Sequence, residues 1–302
     1  MPDAEIHFLT RNSFSEIVTS NPYIDKVHVL AHSWELMIHE LKEEGYDRII
    51  DLHHNLRTLR VKKALRVPSS SFNKLNIQKW VFTNFKWNLM PRLHIVDRYM
   101  ETIKEFGVTN DGKGLEYFIS EKDIVGQNDI PVSHQAGYIA IAIGAAHYTK
   151  KLPVEKLKRL CNSLDHPVML LGGEEDRVAG EEIASVDPVK VYNACGKFSL
   201  GESADLVRKS KLLISHDTGL MHIAAAFKTP VISVWGNTVP EFGMYPYYGD
   251  SQVRNSIFQV SDLRCRPCSK IGYNKCPRGH FKCMNKQDLD QLVKEVVLFL
   301  KN

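Results

Sequence analysis

The stretch KLLISHDTGLMHIAAAFKTPVISVW, residues 211–235, reads as strand, helix, strand. Its two ends, 211–215 and 230–235, are short apolar runs bounded by turn residues, the pattern of strands buried on both faces. Between them the chain turns at Gly219 and enters a helix over 220–227, where Ala224, Ala225 and Ala226 permit close packing on a sheet. Strands joined through a helix by connections this short are parallel neighbours of a βαβ crossover. Asp217 and Thr218 stand where a helix-capping residue belongs, which is their structural reading. The same place, beyond the carboxyl end of a strand and at the start of a helix, is where open α/β sheets bind ligands and where free N–H groups hold a pyrophosphate. His222 lies one turn into that helix and could face such a ligand or simply pack.

The segments before it repeat the alternation. Strands are predicted at 137–144, 167–171 and 189–192, and helices at 153–164, 175–184 and 201–209. With the 211–235 unit this makes five strands alternating with four helices, the signature of a doubly wound, mostly parallel sheet. The first half follows the same plan less cleanly, with strands predicted at 5–9, 26–30, 48–52 and 115–119 and helices at 13–19, 34–44, 56–65 and 95–106. Polar 126–135, with Pro131, reads as the linker between an N-terminal domain, 1–130, and a C-terminal domain, 131–302.

The 302 residues are 43% hydrophobic and 25% charged, ordinary for a globular protein and enough for two domains. No run of 18 apolar residues appears, and MPDAEIHFLT lacks the basic and apolar regions of a secretory signal, so the cytosol is the expected compartment. The net charge of +4 is unevenly spread. From 52 to 96 there is no Asp or Glu, while Arg57, Arg60, Lys62, Lys63, Arg66, Lys74, Lys79, Lys86 and Arg92 supply nine positive charges. That segregation attracts an anionic partner. Within it, 79–90 mixes Trp80, Phe82, Phe85 and Trp87 with two lysines. This segment suits either the surface of an anionic membrane leaflet or a helix packed inside the N-terminal domain.

SHDTGLMHIAAA followed by TPVISVWGNT resembles the hallmark of glycosyltransferase family nine, the ADP-heptose lipopolysaccharide heptosyltransferases. Four further segments agree in the family's order: GAAHYTKKLP at 144–153, LLGGEEDR at 170–177, NACGKFSLGESADLV at 193–207 and LRCRPCSKIGYNKCPRGHFKCM at 263–284. The resemblance implies a GT-B fold, two Rossmann-like doubly wound domains facing a cleft. It further implies inverting, metal-independent heptosyl transfer from a nucleotide-diphosphate sugar, ADP-heptose, to an acidic lipopolysaccharide inner-core acceptor. No cofactor is expected, since the nucleotide sugar is a substrate, and no nucleic acid partner. Residue by residue, it makes Lys150 the contact to the donor phosphates and Asp217 the holder of the sugar, the two catalytic candidates. Gly144, Asp176, Thr218, Gly219, His222 and Thr238 are the donor-binding candidates. Arg57 and Arg60, matching the family's basic NLR region, and Arg98 are those for the acceptor. The chain departs from the pattern at Ala145 and Ala146, where hydroxyl residues are usual, and at Leu152, where an aromatic is. The family's first strand and loop, about 25 residues that carry its aspartate general base, are expected to be missing from these 302 residues.

Cys265, Cys268, Cys276 and Cys283, spaced C-x2-C-x7-C-x6-C beside His280, suit either a structural zinc site or reduced structural thiols. Asp288-Leu-Asp290 superficially echoes a metal-binding DxD, but it lies in a terminal helical segment where a solvated face is expected. No G-x-G-x-x-G follows any strand and no Walker loop is present, which disfavours a dehydrogenase or a P-loop enzyme. A sugar-nucleotide epimerase on the same scaffold, or a non-catalytic binder of sugar nucleotide or acidic glycolipid, are the alternative readings.

Overall fold

The computed structural model describes residues 4–30 and 33–301. The chain forms two compact units, Met1–Asn76 with Leu93–Asp111, and Ile77–Arg92 with Gly112–Asn302. In the first, β1 (His7–Thr10) leads through α1 (Ser15–Thr19) to β2 (Lys26–Val29) and α2 (Trp34–Glu43). Then β3 (Ile49–Asp51), α3 (Leu56–Leu65) and β4 (Ser69–Ser71) follow, and after α4 (Asn76–Phe85) the chain returns as α5 (Ile95–Met100). The described strands form two parallel pairs, β1–β2 and β3–β4. Met37, Ile38, Leu41 and Val61 from α2 and α3 form the core beside Leu9 and Leu30.

The second unit is larger and more regular. β5 (Ile139–Ala142), α6 (Val154–Ser163), β6 (Val168–Leu171), α7 (Arg177–Ala184), β7 (Val191–Asn193) and α8 (Leu200–Lys209) are followed by β8 (Leu212–His216), α9 (Gly219–Ala226), β9 (Val231–Trp235) and β10 (Asn255–Gln259). The chain ends with α10 (Lys282–Asn285) and α11 (Leu289–Leu300). All six strands are parallel, in the order β10-β9-β8-β5-β6-β7. Counted from β5 this is 3-2-1-4-5-6, the order of the Rossmann fold, with its reversal between β5 and β8. Period-2 alternation sorts β5 onto the two faces. Ile139, Ile141 and Ile143 pack with Leu157 and Leu160 of α6 and Leu292 and Val296 of α11. Ala140 and Ala142 face Leu206 of α8 and Met221, Ala224 and Ala225 of α9. S-x-x-E before α8 forms a capping box, Ser199 Oγ accepting from the Glu202 N–H at 3.1 Å and Glu202 accepting from the Ser199 N–H at 2.6 Å.

The structure departs from the sequence reading in six places. Residues 115–119 form no strand, and the helix expected over 95–106 is α-helical only to Met100, then 3-10 over Glu101–Phe106. β4, made of three serines, and β10, an edge strand with alternating exposed residues, carry too little apolar signal to be foreseen. The units divide at Asp111/Gly112, not at 130. The polar 126–135 segment is tied into the second unit by its own polar groups. Buried His134 meets the Val168 carbonyl at 3.0 Å, and the adjoining Val125 N–H donates to buried Asp205 at 2.9 Å. Finally, 77–92 joins the second unit, where Phe82 packs against Val239 and Phe242, instead of packing within the N-terminal domain.

Candidate active site

Four loops leave the carboxyl ends of β5, β6, β8 and β9, beside the β5/β8 reversal of strand order where doubly wound sheets hold ligands. The loop after β5 carries Lys150, whose Nζ lies 2.7 Å from Asp217 Oδ2 on the loop after β8. Thr238, after β9, donates its hydroxyl to the same oxygen at 2.9 Å. Lys150 also reaches the Asp217 carbonyl at 3.3 Å. Three loops therefore converge on one carboxylate. His222, on α9, sits within electrostatic reach of both charges; burial lowers its pKa, Asp217 opposes that shift and Lys150 reinforces it.

Neither Asp217 nor Thr218 caps α9 with its side chain. Asp217 is taken by Lys150 and Thr238, and Thr218, in the N-cap position, has its hydroxyl 3.2 Å from Ser215 Oγ. A Cβ built on Gly219, the first residue of α9, would meet nothing within 4 Å. The helix start thus presents backbone N–H groups without a capping side chain, beside an ammonium, with space in front. That combination accepts an anion.

Gly144 and Asp176 form a second cluster. Asp176 accepts from Lys151 Nζ at 2.6 Å and from the Gly173 N–H at 3.2 Å. A Cβ on Gly144 would lie 2.2 Å from Asp176 Oδ2, so any larger residue here must displace the Asp176 carboxylate. His216 joins this cluster to the first. It is fully buried, and its Nε2 accepts the Leu152 N–H at 2.9 Å, pinning the lysine-bearing loop to the end of β8. Burial pushes its pKa down to about 4 against the opposing pull of the Gly144 carbonyl.

Sequence reasoning missed His216, which stands inside the recognised motif but shows its role only through a partner 64 positions away. It also missed Asn237, 1% exposed, whose side-chain amide makes no hydrogen bond among the described residues. Position next to Thr238 was the available signal. His216 yields a pH prediction. An imidazole held neutral when folded stabilises fully above its ordinary pKa near 6.5, and that stability is lost as pH falls toward 4. Over this interval wild type should lose about 3 kcal/mol more than His216→Gln, which keeps an acceptor for the Leu152 N–H but does not titrate. Denaturant unfolding at several pH values measures the difference; parallel curves would refute the assignment.

The acceptor candidates lie in the first unit. Arg57 is exposed on α3, Arg60 is exposed with its guanidinium 4.3 Å from the Trp34 ring centre, and Arg98 is buried with its guanidinium over Phe72. The basic stretch divides between the units, with Lys79, Lys86 and Arg92 in the second. Lys62 is paired with buried Asp51 at 2.8 Å. Trp80, Phe85 and Trp87 are exposed, their neighbouring rings 5.4 and 5.9 Å apart. No described helix is long and apolar enough to cross a membrane.

The six cysteines are free thiols. Burial raises the Cys268 thiol to about 12 and the Cys283 thiol to about 11. Cys265 Sγ is 3.9 Å from His280 Nε2, yet among the described residues no three of these groups come within 4.8 Å of one another.

Comparison with known proteins bears on the family and the fold. The model of glycosyltransferase family 9 (heptosyltransferase) matches residues 34–274. Lipooligosaccharide heptosyltransferase 2 of Haemophilus influenzae is 35% identical over 91 residues, 29% of this chain and 26% of its own. Lipopolysaccharide heptosyltransferase 2 of Salmonella typhimurium is 26% identical over 229 residues, 68% of this chain and 64% of its own. The chain thus spans about a quarter and just under two thirds of these two relatives. A solved family 9 glycosyl transferase from Veillonella parvula superposes with a TM-score of 0.75 at 22% identity, covering 100% of this chain and 90% of that one. This likeness shows the fold, α/β of the GT-B type.

Proposed function

The chain belongs to glycosyltransferase family 9, and from that premise we propose that it transfers a heptosyl group from ADP-heptose to an acidic lipopolysaccharide inner-core acceptor, with inversion. The observation that carries this reading is the convergence of Lys150, Asp217 and Thr238 at the open start of α9. As the bond between sugar and nucleotide breaks, negative charge grows on the departing diphosphate. The Lys150 ammonium and the α9 N–H groups are already in place to stabilise it, without the reorganisation that water would require. This supplies the role that a metal ion fills in metal-dependent transferases. Asp217 Oδ2 is held by two donors, which fixes the carboxylate so that Oδ1 can face the sugar as positive charge develops at its anomeric carbon. Gly144, Asp176, Thr218, Gly219 and His222 complete the donor site, and neutral His222 offers a hydrogen bond without adding charge.

Exposed Arg57 and Arg60 are the acceptor contacts, forks suited to carboxylates and phosphates. Arg98, buried with its guanidinium over Phe72, is the weaker acceptor candidate. The exposed rings of Trp80, Phe85 and Trp87 fit peripheral contact with the inner face of the membrane, from the cytoplasmic side, where a lipid-linked acceptor resides. Calorimetry with ADP and a radiolabelled transfer assay test the proposal. ADP should bind and UDP should bind more weakly, and label should leave the nucleotide for the acceptor. A chain that ignores both nucleotides, or that returns the label as an isomeric nucleotide sugar, refutes it.

A further inference from the structure

In the first unit, β1 and β2 each carry a histidine on one shared face. Leu9 is opposite His28 in the register, so His7, two residues before Leu9, lies diagonally across from His28. Their side chains are 7% and 8% exposed. His7 Nδ1 and His28 Nε2 are 3.3 Å apart. Glu44, just beyond the end of α2, brings one carboxylate oxygen 3.8 Å from His7 Nδ1 and the other 3.7 Å from His28 Nε2. The Tyr46 hydroxyl sits 2.9 and 3.0 Å from the same two nitrogens. Among the described residues this is the one group of three possible metal ligands with donor atoms within 4.8 Å of one another.

Those separations are the edges of a coordination shell. Donors placed tetrahedrally at about 2.0–2.1 Å from zinc lie about 3.3–3.4 Å from each other. Octahedral donors at the distance magnesium demands lie closer, about 2.9 Å. The 3.3 Å between the two histidine nitrogens fits the wider shell; Glu44 approaches each of them through a different oxygen, and the Tyr46 hydroxyl stands closer, at 2.9 and 3.0 Å. Two imidazoles and a carboxylate are also the donors that borderline ions such as Zn²⁺ take. An independent feature agrees. The outer nitrogen of His7, Nε2, is 2.7 Å from Glu5 Oε1. A carboxylate in that position fixes the tautomer of a metal-binding imidazole and turns the other nitrogen's lone pair inward. Lys26 competes for Glu44, but it is half exposed and can release the carboxylate to water.

We propose that His7, His28 and Glu44 form a structural site for a divalent ion of the zinc class, with the Tyr46 hydroxyl or a water as the fourth donor. The ion would fasten β1 and β2 to the end of α2 in a unit whose apolar core is small. The alternative is a closed hydrogen-bonded trio of His7, Tyr46 and His28 that binds nothing.

Cobalt titration of the chelator-stripped full chain decides between them, with Cys265→Ser/Cys268→Ser as the background, which leaves two of the four cysteines of the 263–284 loop, and thiolate charge transfer reports any cobalt that they hold. One equivalent of Co²⁺ is expected, with visible tetrahedral bands, no thiolate charge transfer, displacement by Zn²⁺ and a raised melting temperature. Losing an outer carboxylate alone weakens such sites about 10–100-fold, so His7→Gln/His28→Gln should weaken Co²⁺ binding by more than that. A folded double variant that takes up Co²⁺ like its parent overturns the proposal, as does a parent that takes up none. Should the double variant fail to fold, Glu44→Gln decides, since unchanged affinity there overturns it equally. Uptake and spectrum are read without substrate, so the result stands apart from the transferase reading.

Discussion

Lys150→Ala is expected to lower turnover by about 10²–10³-fold, the usual effect of removing one preorganised charge from a site where charge develops. In the resting protein Lys150 Nζ is committed to Asp217 at 2.7 Å, and both side chains are largely buried. Losing the ammonium therefore does two things. It removes the cation beside the open start of α9, and it leaves Asp217 as uncompensated negative charge where a diphosphate must enter. The leaving diphosphate gains charge only as the bond breaks, so most of the loss should fall on kcat, with a smaller rise in KM. Thr238 still donates to Asp217 and the loop remains pinned through His216, so circular dichroism and the melting curve should change little. Lys150→Arg should recover part of the rate, because it restores charge without the shape of an ammonium. Wild-type turnover in Lys150→Ala would remove this residue from the mechanism.

Gly236→Ala should impair the enzyme nearly as much, although position 236 carries no functional group. A Cβ there would lie 2.5 Å from the Thr149 carbonyl oxygen and 2.7 Å from Met284 Cε. Methionine can swing aside, but a backbone carbonyl cannot. That carbonyl also accepts from the Asn237 N–H, and Thr149 is tied to Tyr273 by three hydrogen bonds. The strain must therefore move the loop that carries Lys150. Overpacking of this kind costs about 1–3 kcal/mol in stability, and displacing a catalytic group by about 1 Å can cost about 10²-fold in rate. The Gly236→Ala/Met284→Ala double variant separates the two contacts. Turnover should stay low in it, because the clash with the carbonyl remains. Recovery of turnover would mean that only the methionine contact matters.

The second unit was legible because four of its strands, β5, β6, β8 and β9, are buried on both faces. Such strands must be continuous apolar runs, and the crossover helices between them must be amphipathic, so 137–235 announces its alternation without any alignment. The first unit was less legible for the converse reason. Its strands are short and partly exposed, and β4 is three serines with no apolar side chain, held by backbone pairing and by hydrogen bonds of Ser70 to Arg48 and Glu105 and of Ser71 to Lys62. The residues of the Lys150–Asp217–Thr238 group were readable as candidates, because charged and hydroxyl residues after buried strands stand where these sheets bind ligands. Their convergence on a single carboxylate oxygen was not readable.

The sequence by itself determined the doubly wound class of the second unit, the family likeness and the residue types at the strand ends, since all of these follow from local periodicity and short motifs. Only the tertiary structure decided that Asp217 serves Lys150 and Thr238 instead of capping α9, that 126–135 belongs to the second unit, and that His7, His28 and Glu44 meet. Each of those outcomes depends on a contact between side chains or loops brought together by packing. Hydrophobic periodicity reports which face of an element is buried, and carries no information about which distant polar group waits on the other side.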